Sequence, residues 1–268
     1  MIDFSFIGCA AERAGLGECS VVLSALPGTD GPSAEFHPAR PLYPASMIKV
    51  PIAAALAVSC AAGTLRLDDR TRVSAGSMTS NDAPSPFVTG YETSLLETAR
   101  AMLSASDNVA TNVLIDVLGR DRITEIVRES YGLTGTAVRR KLSGALPLID
   151  DPAASGRNAH PAADAAKLFS AIYRERADRC RFVYDALLAQ IWNDKLPRGF
   201  RPGDVFAHKT GDTDEASHDG GILTLADGRR YVLVVYTALP ASPQSDARVA
   251  AFGRALRDAL AATAPANP

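Results

Sequence analysis

Hydrophobic residues recur along this chain with two distinct periods, and these periods predict where helices and strands lie. Spacings of three and four residues, as in Phe4, Ile7, Ala11 and Ala14, are typical of the buried face of a helix. Short apolar runs bounded by turn residues are typical of strands. The patterns predict helices over 4–14, 46–61, 92–103, 108–118, 123–131, 161–172, 182–192 and 249–260. They predict strands over 20–26, 35–37, 205–209, 220–225 and 230–237.

The order of these elements predicts the fold class. Strands gather near both ends of the chain, whereas its middle is helical. Asp227-Gly228 between the last two strands is a strong hairpin signal, so those strands should be antiparallel. We therefore expect an α+β protein, 1–268, in which an antiparallel sheet is flanked by helices. The sheet subdomain is predicted over 1–40 and 195–268, and an all-helical subdomain over 41–194.

Two stretches are predicted to be irregular. Residues 70–91 are rich in Ser, Thr, Pro and Asn, which is typical of surface loops. Residues 132–158 show weak periodicity and contain several Gly and Pro residues. A loop of that length within a compact domain is usually functional.

Composition narrows the possible classes of function. Of the 268 residues, 47% are hydrophobic and 22% charged, which is ordinary for a globular protein with a substantial core. The formal net charge is −2 and the sequence pI about 6.1. Because like charges form no block, we expect neither nucleic acid nor an anionic membrane as a partner.

The cysteines argue against a metal site. Cys9, Cys19, Cys60 and Cys180 are scattered, with no Cys/His spacing typical of zinc ligands, so neither a metal nor another cofactor is expected. Cys19 and Cys60 lie in apolar stretches, where buried free thiols are common. The sequence leaves open a Cys9–Cys19 or a Cys60–Cys180 disulfide.

The N-terminus lacks the pattern of a secretory signal. No basic region precedes its short apolar run, Phe4 to Ile7, and no apolar run approaches the length of a membrane span. We therefore expect a cytoplasmic protein, with a secreted or periplasmic location as the alternative if a leader was removed.

One short stretch combines two chemically useful side chains. Ser46 and Lys49 are three residues apart at the start of a predicted apolar helix, so they should lie on one face of its first turn. A lysine amine in an apolar pocket can lose its proton and activate a serine hydroxyl. Taken alone, the pair is more typical of an N-cap serine followed by a surface lysine.

Two further motifs follow in order and favour a catalytic role for Ser46 and Lys49. Ser106-Asp107-Asn108 joins two predicted helices, and Lys209-Thr210-Gly211 lies on a predicted strand. With Ser46-x-x-Lys49, this trio resembles the class A β-lactamases and penicillin-binding proteins, over nearly the whole chain. The resemblance implies the β-lactamase/transpeptidase-like fold, a monomer, and a small acyl substrate such as a β-lactam or a peptide-like amide.

The resemblance also implies catalytic roles. Ser46 attacks a carbonyl and is acylated, with Lys49 as its base. Lys209 is a second cation that helps to keep Lys49 neutral and holds Ser106 in place. Ser106 relays a proton to the departing amine.

Four more residues are expected to bind the substrate. Asn108 orients Lys49 and the substrate amide, while Thr210 and Gly211 contact a substrate carboxylate or acyl chain. The resemblance places the oxyanion hole at the backbone N–H groups of Ser46 and Asp212.

Other polar residues near these motifs are assigned structural roles. Asp107 is expected to make structural hydrogen bonds, and Trp192 to lie in the core. His208 and His218 should be packing or surface residues, although His218 is a candidate to face the substrate. Arg198 and Arg201 are candidates to clamp a substrate carboxylate, but solvated arginines are the commoner case. For this reason the two histidines and the two arginines are not assigned to the site.

One departure from the family pattern concerns release of the acyl group. Class A β-lactamases carry a glutamate on the loop between the second and third motifs, and here Leu142 occupies the matching position. Asp150 and Asp151 follow, but their spacing does not resemble the motif. We therefore expect acylation of Ser46 with slow deacylation of β-lactams.

Several functions are compatible with these motifs. An active β-lactamase, a D,D-peptidase and an acyltransferase of small-molecule biosynthesis would all use Ser46. A ligand-binding protein that retains the fold without catalysis is the alternative from another class. The coincidence of all three motifs favours an enzyme.

Overall fold

The computed structural model describes residues 2–143, 149 and 156–263. Its strands are β1 Cys19–Ala25, β2 Ala34–Phe36, β3 Arg70–Arg72, β4 Glu92–Ser94, β5 Val205–Asp212, β6 Ser217–Thr224 and β7 Arg230–Thr237. Its α-helices are α1 Phe4–Ala14, α2 Lys49–Ala61, α3 Leu95–Ser104, α4 Asn108–Leu118, α5 Arg120–Tyr131, α6 Ala162–Arg174, α7 Arg181–Leu188 and α8 Pro243–Ala262. Short 3-10 helices lie at Ala45–Ile48, Ala75–Ser77 and Leu196–Gly199. The predicted α+β class is confirmed.

The chain forms two compact units. Unit 1 comprises Met1–Met47, Pro161–Ser170 and Trp192–Pro268, and unit 2 comprises Ile48–His160 and Ala171–Ile191. The first part of α6 therefore belongs to unit 1, although it falls inside the predicted helical subdomain.

Unit 1 contains an antiparallel five-stranded sheet. Its strand order is β2-β1-β7-β6-β5, so β2 and β5 are the edge strands. The predicted hairpin joins β6 to β7 through Asp227-Gly228, where Gly228 has a φ of +86° that a side chain would disfavour. β5 extends to Asp212, beyond its predicted end at 209, so the third motif lies wholly on this edge strand.

One face of this sheet packs against α1 and α8. Because side chains alternate along a strand, residues opposite each other in register share a face. Leu23 pairs with Leu233, and Val21 with Val235, which places these four side chains in one layer. The same buried cluster includes Ile7, Ala10 and Ala11 of α1 and Val249, Phe252, Leu256 and Leu260 of α8. The amphipathic patterns of both helices are thereby explained.

Unit 2 is built around α2. This helix is apolar on nearly all sides, and its residues from Lys49 to Ala57 are buried. A helix without a polar face has to be covered on every side. The helices α3, α4, α5 and α7 all pack against it. The position of Lys49 is consequently fixed by the packing of the whole unit.

The structure corrects the prediction for residues 70–91 and the start of the next helix. Instead of being irregular throughout, this region begins with β3, which pairs antiparallel with β4. β4 occupies the first three residues of the predicted helix, and α3 begins only at Leu95. The reason is local, because the hydroxyl of Ser94 accepts the N–H of Glu97 and caps the helix there.

The predicted helix over 182–192 is shorter than expected. α7 ends at Leu188, so Trp192 lies outside it, and the indole is half-buried rather than part of the core. The prediction was wrong because an apolar pattern continues past the point where the helix stops.

All four cysteines are free. Cys19 and Cys180 are buried, Cys60 is half-buried and Cys9 is exposed. Neither disulfide that the sequence left open is formed. Much of the long loop predicted over 132–158, including Asp150 and Asp151, lies outside the described residues. Within the described part of the chain, no helix has the length and apolar character needed to cross a bilayer.

The central role of α2 can be tested by removing part of its buried surface. Leu56 is fully buried, so Leu56→Ala should leave a cavity and lower the free energy of unfolding by about 2–5 kcal/mol. Urea denaturation measures this loss. Leu188→Ala makes the same change at a side chain that is 41% exposed and should cost less than about 1 kcal/mol. Equal losses in the two variants would contradict this packing.

Candidate functional site

A left-handed backbone turn precedes the first motif. Ala45 has a φ of +48°, a conformation that non-glycine residues rarely adopt unless their surroundings impose it. It begins the 3-10 helix that leads into α2. Ala45 and Met47 are buried, whereas Ser46 between them is half-buried. The turn therefore leaves the serine as the residue with solvent access.

The amine of Lys49 lies in a pocket of oxygen atoms. Its side chain is fully buried, and Nζ donates to the carbonyl oxygen of Ser106 (2.5 Å), to Oγ of Ser106 (2.9 Å) and to Oδ1 of Asn108 (2.7 Å). A buried amine without such partners would be costly. Lys49 of the first motif is thus joined to the second motif within unit 2.

These three oxygens are compatible with both protonation states of Lys49. The carbonyl of Ser106 and Oδ1 of Asn108 only accept hydrogen bonds, but a serine hydroxyl can also donate. A charged ammonium can donate to all three. A neutral amine can donate to the first two and accept the Ser106 hydroxyl proton. A proton can therefore pass between Lys49 and Ser106 without movement of either side chain.

The second motif is held by its own backbone. Ser106 has a φ of +60°, a second non-glycine residue in the left-handed region. Immediately after it, Asp107 caps α4 by accepting the N–H of Ala110 at 2.8 Å. The structural role predicted for Asp107 matches this contact.

A neighbouring loop fixes Asn108. The backbone N–H of Asn108 donates to Oδ1 of Asn81 (2.5 Å), and its side-chain amide donates to the carbonyl of Ser80 (2.9 Å). Because the amide nitrogen is used in this way, Oδ1 is turned toward Lys49. Asn81 was missed at the sequence level, since nothing in its neighbourhood marks it apart from other loop residues.

The third motif lies on β5 and presents two faces. Alternation puts Lys209 and Gly211 on one face and Thr210 and Asp212 on the other. A Cβ at Gly211 would lie 3.1–3.3 Å from Pro44, Ala45 and Met47. The absence of a side chain therefore allows β5 to approach the segment that carries Ser46. The ammonium of Lys209 is buried and donates to the carbonyl of Thr210 at 2.9 Å.

The register of β5 directs the N–H of Asp212 to the open edge of the sheet. The N–H of Thr213 donates to the carbonyl of Ala216, so these two opposite residues form a hydrogen-bonded pair. Hydrogen-bonded and non-hydrogen-bonded pairs alternate along an antiparallel ladder. The next pair, Asp212 with Ser217, is therefore non-hydrogen-bonded. In such a pair on an edge strand, N–H groups point away from the neighbouring strand. The N–H of Asp212 is therefore available to a ligand.

The predicted site residues fall into two groups. Ser46, Lys209, Thr210, Gly211 and Asp212 belong to unit 1. Lys49, Ser106 and Asn108 belong to unit 2, where the hydrogen bonds to Lys49 join them.

His218, a candidate to face the substrate, is instead a packing residue. It is fully buried, stacked on Tyr236 with ring centroids 4.2 Å apart. Nδ1 accepts the N–H of Thr237, so Nε2 carries the proton and donates to the carbonyl of Tyr43. Burial lowers the pKa of His218 to about 4.

The remaining candidates also have structural surroundings. His208 is buried, with Nδ1 2.7 Å from Oδ1 of Asp219. Arg201 forms an exposed ion pair with Asp258, and Arg198 is exposed. Among the described residues, no group of His, Cys, Asp and Glu could hold a metal ion.

Leu142 is attached to the helix that begins with Asn108. Asn112, one turn further along α4, accepts the N–H of Leu142 (2.7 Å) and donates to its carbonyl (2.9 Å). The adjacent Lys141 forms an ion pair with Asp116 of the same helix. The backbone at Lys141 and Leu142 is therefore fixed in unit 2, against the same helix that begins with Asn108.

Comparison with known proteins identifies the fold. A model of the beta-lactamase enzyme family matches residues 9–260. A β-lactamase from Sphaerobacter thermophilus is 25% identical, with a TM-score of 0.81 over 98% of this chain and 100% of its own. PBP-A is 23% identical, with a TM-score of 0.82 over 97% and 98%. No curated protein matches the chain.

A further similar structure is a leucine-to-glutamate variant of PBP-A in an acyl-enzyme complex with penicillin G. It is 22% identical, with a TM-score of 0.83 over 97% of this chain and 98% of its own. The resemblance to β-lactamases and penicillin-binding proteins is thereby confirmed, as is the β-lactamase fold.

The buried state of His218 predicts acid sensitivity. An unfolded histidine takes up a proton below about pH 6.5, whereas folded His218 stays neutral down to about pH 4. Between these two pH values, unfolding is accompanied by uptake of a proton. The free energy of unfolding therefore decreases as the pH is lowered through this window. In His218→Asn, the loss of unfolding free energy between pH 7 and pH 5 should shrink by about 2 kcal/mol. Urea denaturation at both pH values measures it. His37→Asn, at an exposed position, is the matched control, and an equal reduction there would contradict the assignment.

Proposed function

Because the chain belongs to the β-lactamase enzyme family, a family of serine hydrolases, we propose that Ser46 forms an acyl-enzyme with a β-lactam or peptide-like amide. The observation that carries this proposal is the hydrogen bonding of buried Lys49 to Ser106 and Asn108. Lys49 follows Ser46 by about one helical turn, a spacing that puts a base and a nucleophile on one face of a helix. The native substrate is a small acyl compound.

Acylation proceeds by transfer of one proton around a ring of polar groups. Oγ of Ser46 attacks the carbonyl carbon, and Lys49 accepts the hydroxyl proton. The carbon–nitrogen bond then breaks. Ser106 gives its hydroxyl proton to the departing nitrogen and recovers one from Lys49. The hydrogen bond between Lys49 and Ser106 supports this relay, since the hydroxyl can act as donor or acceptor.

The negative charge that develops on the carbonyl oxygen needs donors that are already in place. We assign this role to the backbone N–H groups of Ser46 and Asp212. The edge position of β5 and the register of Asp212 support the second donor, because that N–H is not used by the sheet. Thr210 and Gly211 of the same strand contact the substrate, and Lys209 supplies a positive charge.

Release of the acyl group is the slow half of the reaction. Hydrolysis requires a base that activates water, and Leu142 stands where the family's glutamate is expected. A leucine side chain cannot accept a proton. A variant of the structurally similar PBP-A that carries glutamate in place of a leucine forms an acyl-enzyme with penicillin G. Leu142 thus favours a penicillin-binding type of activity over rapid β-lactam turnover.

Covalent labelling tests the nucleophile. A fluorescent penicillin should label the wild-type chain to about one equivalent, and Ser46→Ala should show none, because the attacking hydroxyl is then missing and Ser106 acts as the proton relay rather than as the nucleophile. Gel fluorescence after denaturation measures the covalent label. Ser59→Ala, a buried serine on α2, should label like wild type. Persistent labelling of Ser46→Ala would refute the assignment, as would an unlabelled wild type for this substrate class.

Introducing a carboxylate tests the reason for slow release. The backbone of Leu142 is hydrogen-bonded to Asn112 of α4, so Leu142→Glu should place a carboxylate beside the helix whose first residue, Asn108, binds Lys49. Deacylation should accelerate by about 10- to 100-fold, at or below the lower end of what a positioned general base contributes. The decay of the fluorescent label measures this rate.

Leu142→Gln separates base catalysis from a change of shape. It has the size of glutamate but no basic carboxylate, so its label should decay as slowly as that of the wild type. Equal acceleration in Leu142→Gln and Leu142→Glu would contradict the assignment of a missing base.

A further inference from the structure

A buried lysine lies behind the end of β5, and the mechanism above does not use it. The side chain of Lys195 is 6% exposed, and Nζ lies 2.5 Å from Oδ2 of Asp212 and 3.3 Å from Oδ1 of Asp246. Lys195 directly precedes the 3-10 helix Leu196–Gly199, and Asp246 is in the first turn of α8. One ammonium therefore joins three segments of unit 1.

Asp212 directs its side chain and its backbone N–H along different axes. The side chain lies on the face of β5 opposite Lys209 and Gly211, and its link through Lys195 to Asp246 identifies this as the α8 face. The N–H points along the plane of the sheet to its open edge. Holding the carboxylate therefore also fixes the direction of the N–H.

The Lys195 ammonium is itself held in place. The N–H of the next residue, Leu196, donates to Oδ2 of buried Asp219 at 3.1 Å. Asp219 lies opposite Thr210 in the β5–β6 register and also contacts His208. The backbone at 195–196 is thus tied to β6 while the side chain of Lys195 is tied to β5.

The charge of Lys195 is needed to hold these carboxylates together. Burial alone lowers the pKa of Lys195, but the charge of Asp212, its hydrogen bond and the charge of Asp246 outweigh burial, and the pKa is raised. Oδ1 of Asp246 is buried and makes no hydrogen bond within the described residues, so the ammonium of Lys195, 3.3 Å away, supplies its counter-charge. Without the ammonium, Asp212 and Asp246 would be two carboxylates without a counter-charge, and the end of β5 would move away.

We propose that Lys195 is a positioning residue for acyl transfer, whose ammonium holds Asp212 so that its backbone N–H stays aimed at the oxyanion. The inference rests on the proposed function of Ser46, but it adds a residue that no motif contains. Lys195 itself does not touch the substrate.

Acylation kinetics test the proposal. Lys195→Met keeps the length of the side chain and removes its charge. The rate constant for labelling of Ser46 at saturating fluorescent penicillin should fall by about 10- to 100-fold, below the cost of deleting an oxyanion donor outright. The penicillin concentration that gives half-saturation should change by less than about 3-fold, because the N–H acts on developing charge. Lys195→Arg retains the charge and should recover part of the rate.

A second buried ion pair on α8 supplies the matched control. Arg257 contacts Asp204 through both Nε and a terminal nitrogen, with both side chains almost fully buried. Arg257→Met should destabilise the fold in thermal unfolding, as Lys195→Met does, and leave the labelling rate constant unchanged. An equal decrease of the labelling rate constant in both variants would mean that Lys195 only stabilises the fold, and would overturn the proposal. No recovery in Lys195→Arg would also overturn it.

A measurement on the free protein separates this inference from the proposed function. In ¹⁵N NMR relaxation measurements, the amide of Asp212 should be rigid in the wild type, with an order parameter of about 0.85. In Lys195→Met the order parameter should fall below about 0.6. An unchanged Asp212 amide would overturn the role of Lys195 even if Ser46 is labelled. An unlabelled wild type would refute the acyl-enzyme, while the amide would still report whether Lys195 positions Asp212.

Discussion

The burial of Lys49 is the constraint on which unit 2 depends. Its amine lies at the start of a helix that is apolar on nearly every side, where an unpartnered polar group would be strongly destabilising. The junction between α3 and α4 resolves this problem by supplying oxygens from Ser106 and Asn108. Ser106 does so from a left-handed backbone conformation that few side chains adopt. The strain at this junction and the burial of the amine therefore support each other.

A second constraint governs the edge of the sheet in unit 1. β5 can approach the Ser46 segment because Gly211 has no side chain, and it can offer the N–H of Asp212 because an edge strand leaves alternate N–H groups unused. An edge strand held on one side only is free to shift. The ionic contacts of Lys195 on the α8 face restrict that freedom. Binding chemistry at an open edge thus depends on charges buried behind it.

The sequence predicts those residues of the candidate site that recur as short motifs. Ser46, Lys49, Ser106 and Lys209 stand out because their spacing and order are unusual together. The hairpin at Asp227-Gly228 and the amphipathic helices of unit 1 were equally predictable, since turn chemistry and periodicity are local properties.

The supporting contacts could not be predicted in the same way. Asn81 is 27 positions from Asn108, and Lys195 is 17 from Asp212. Such pairs form only when the tertiary fold brings distant loops together. The short pairing of β3 with β4 was missed for a related reason, because three-residue strands carry almost no periodicity of their own.

Peptide mapping by tandem mass spectrometry tests the central claim most directly. After brief exposure of the chain to penicillin G, the account predicts the added mass of one intact penicillin on the peptide that contains Ser46, with fragment ions assigning it to that hydroxyl. An adduct on any other residue, or an unmodified Ser46 peptide at saturating penicillin, would contradict it.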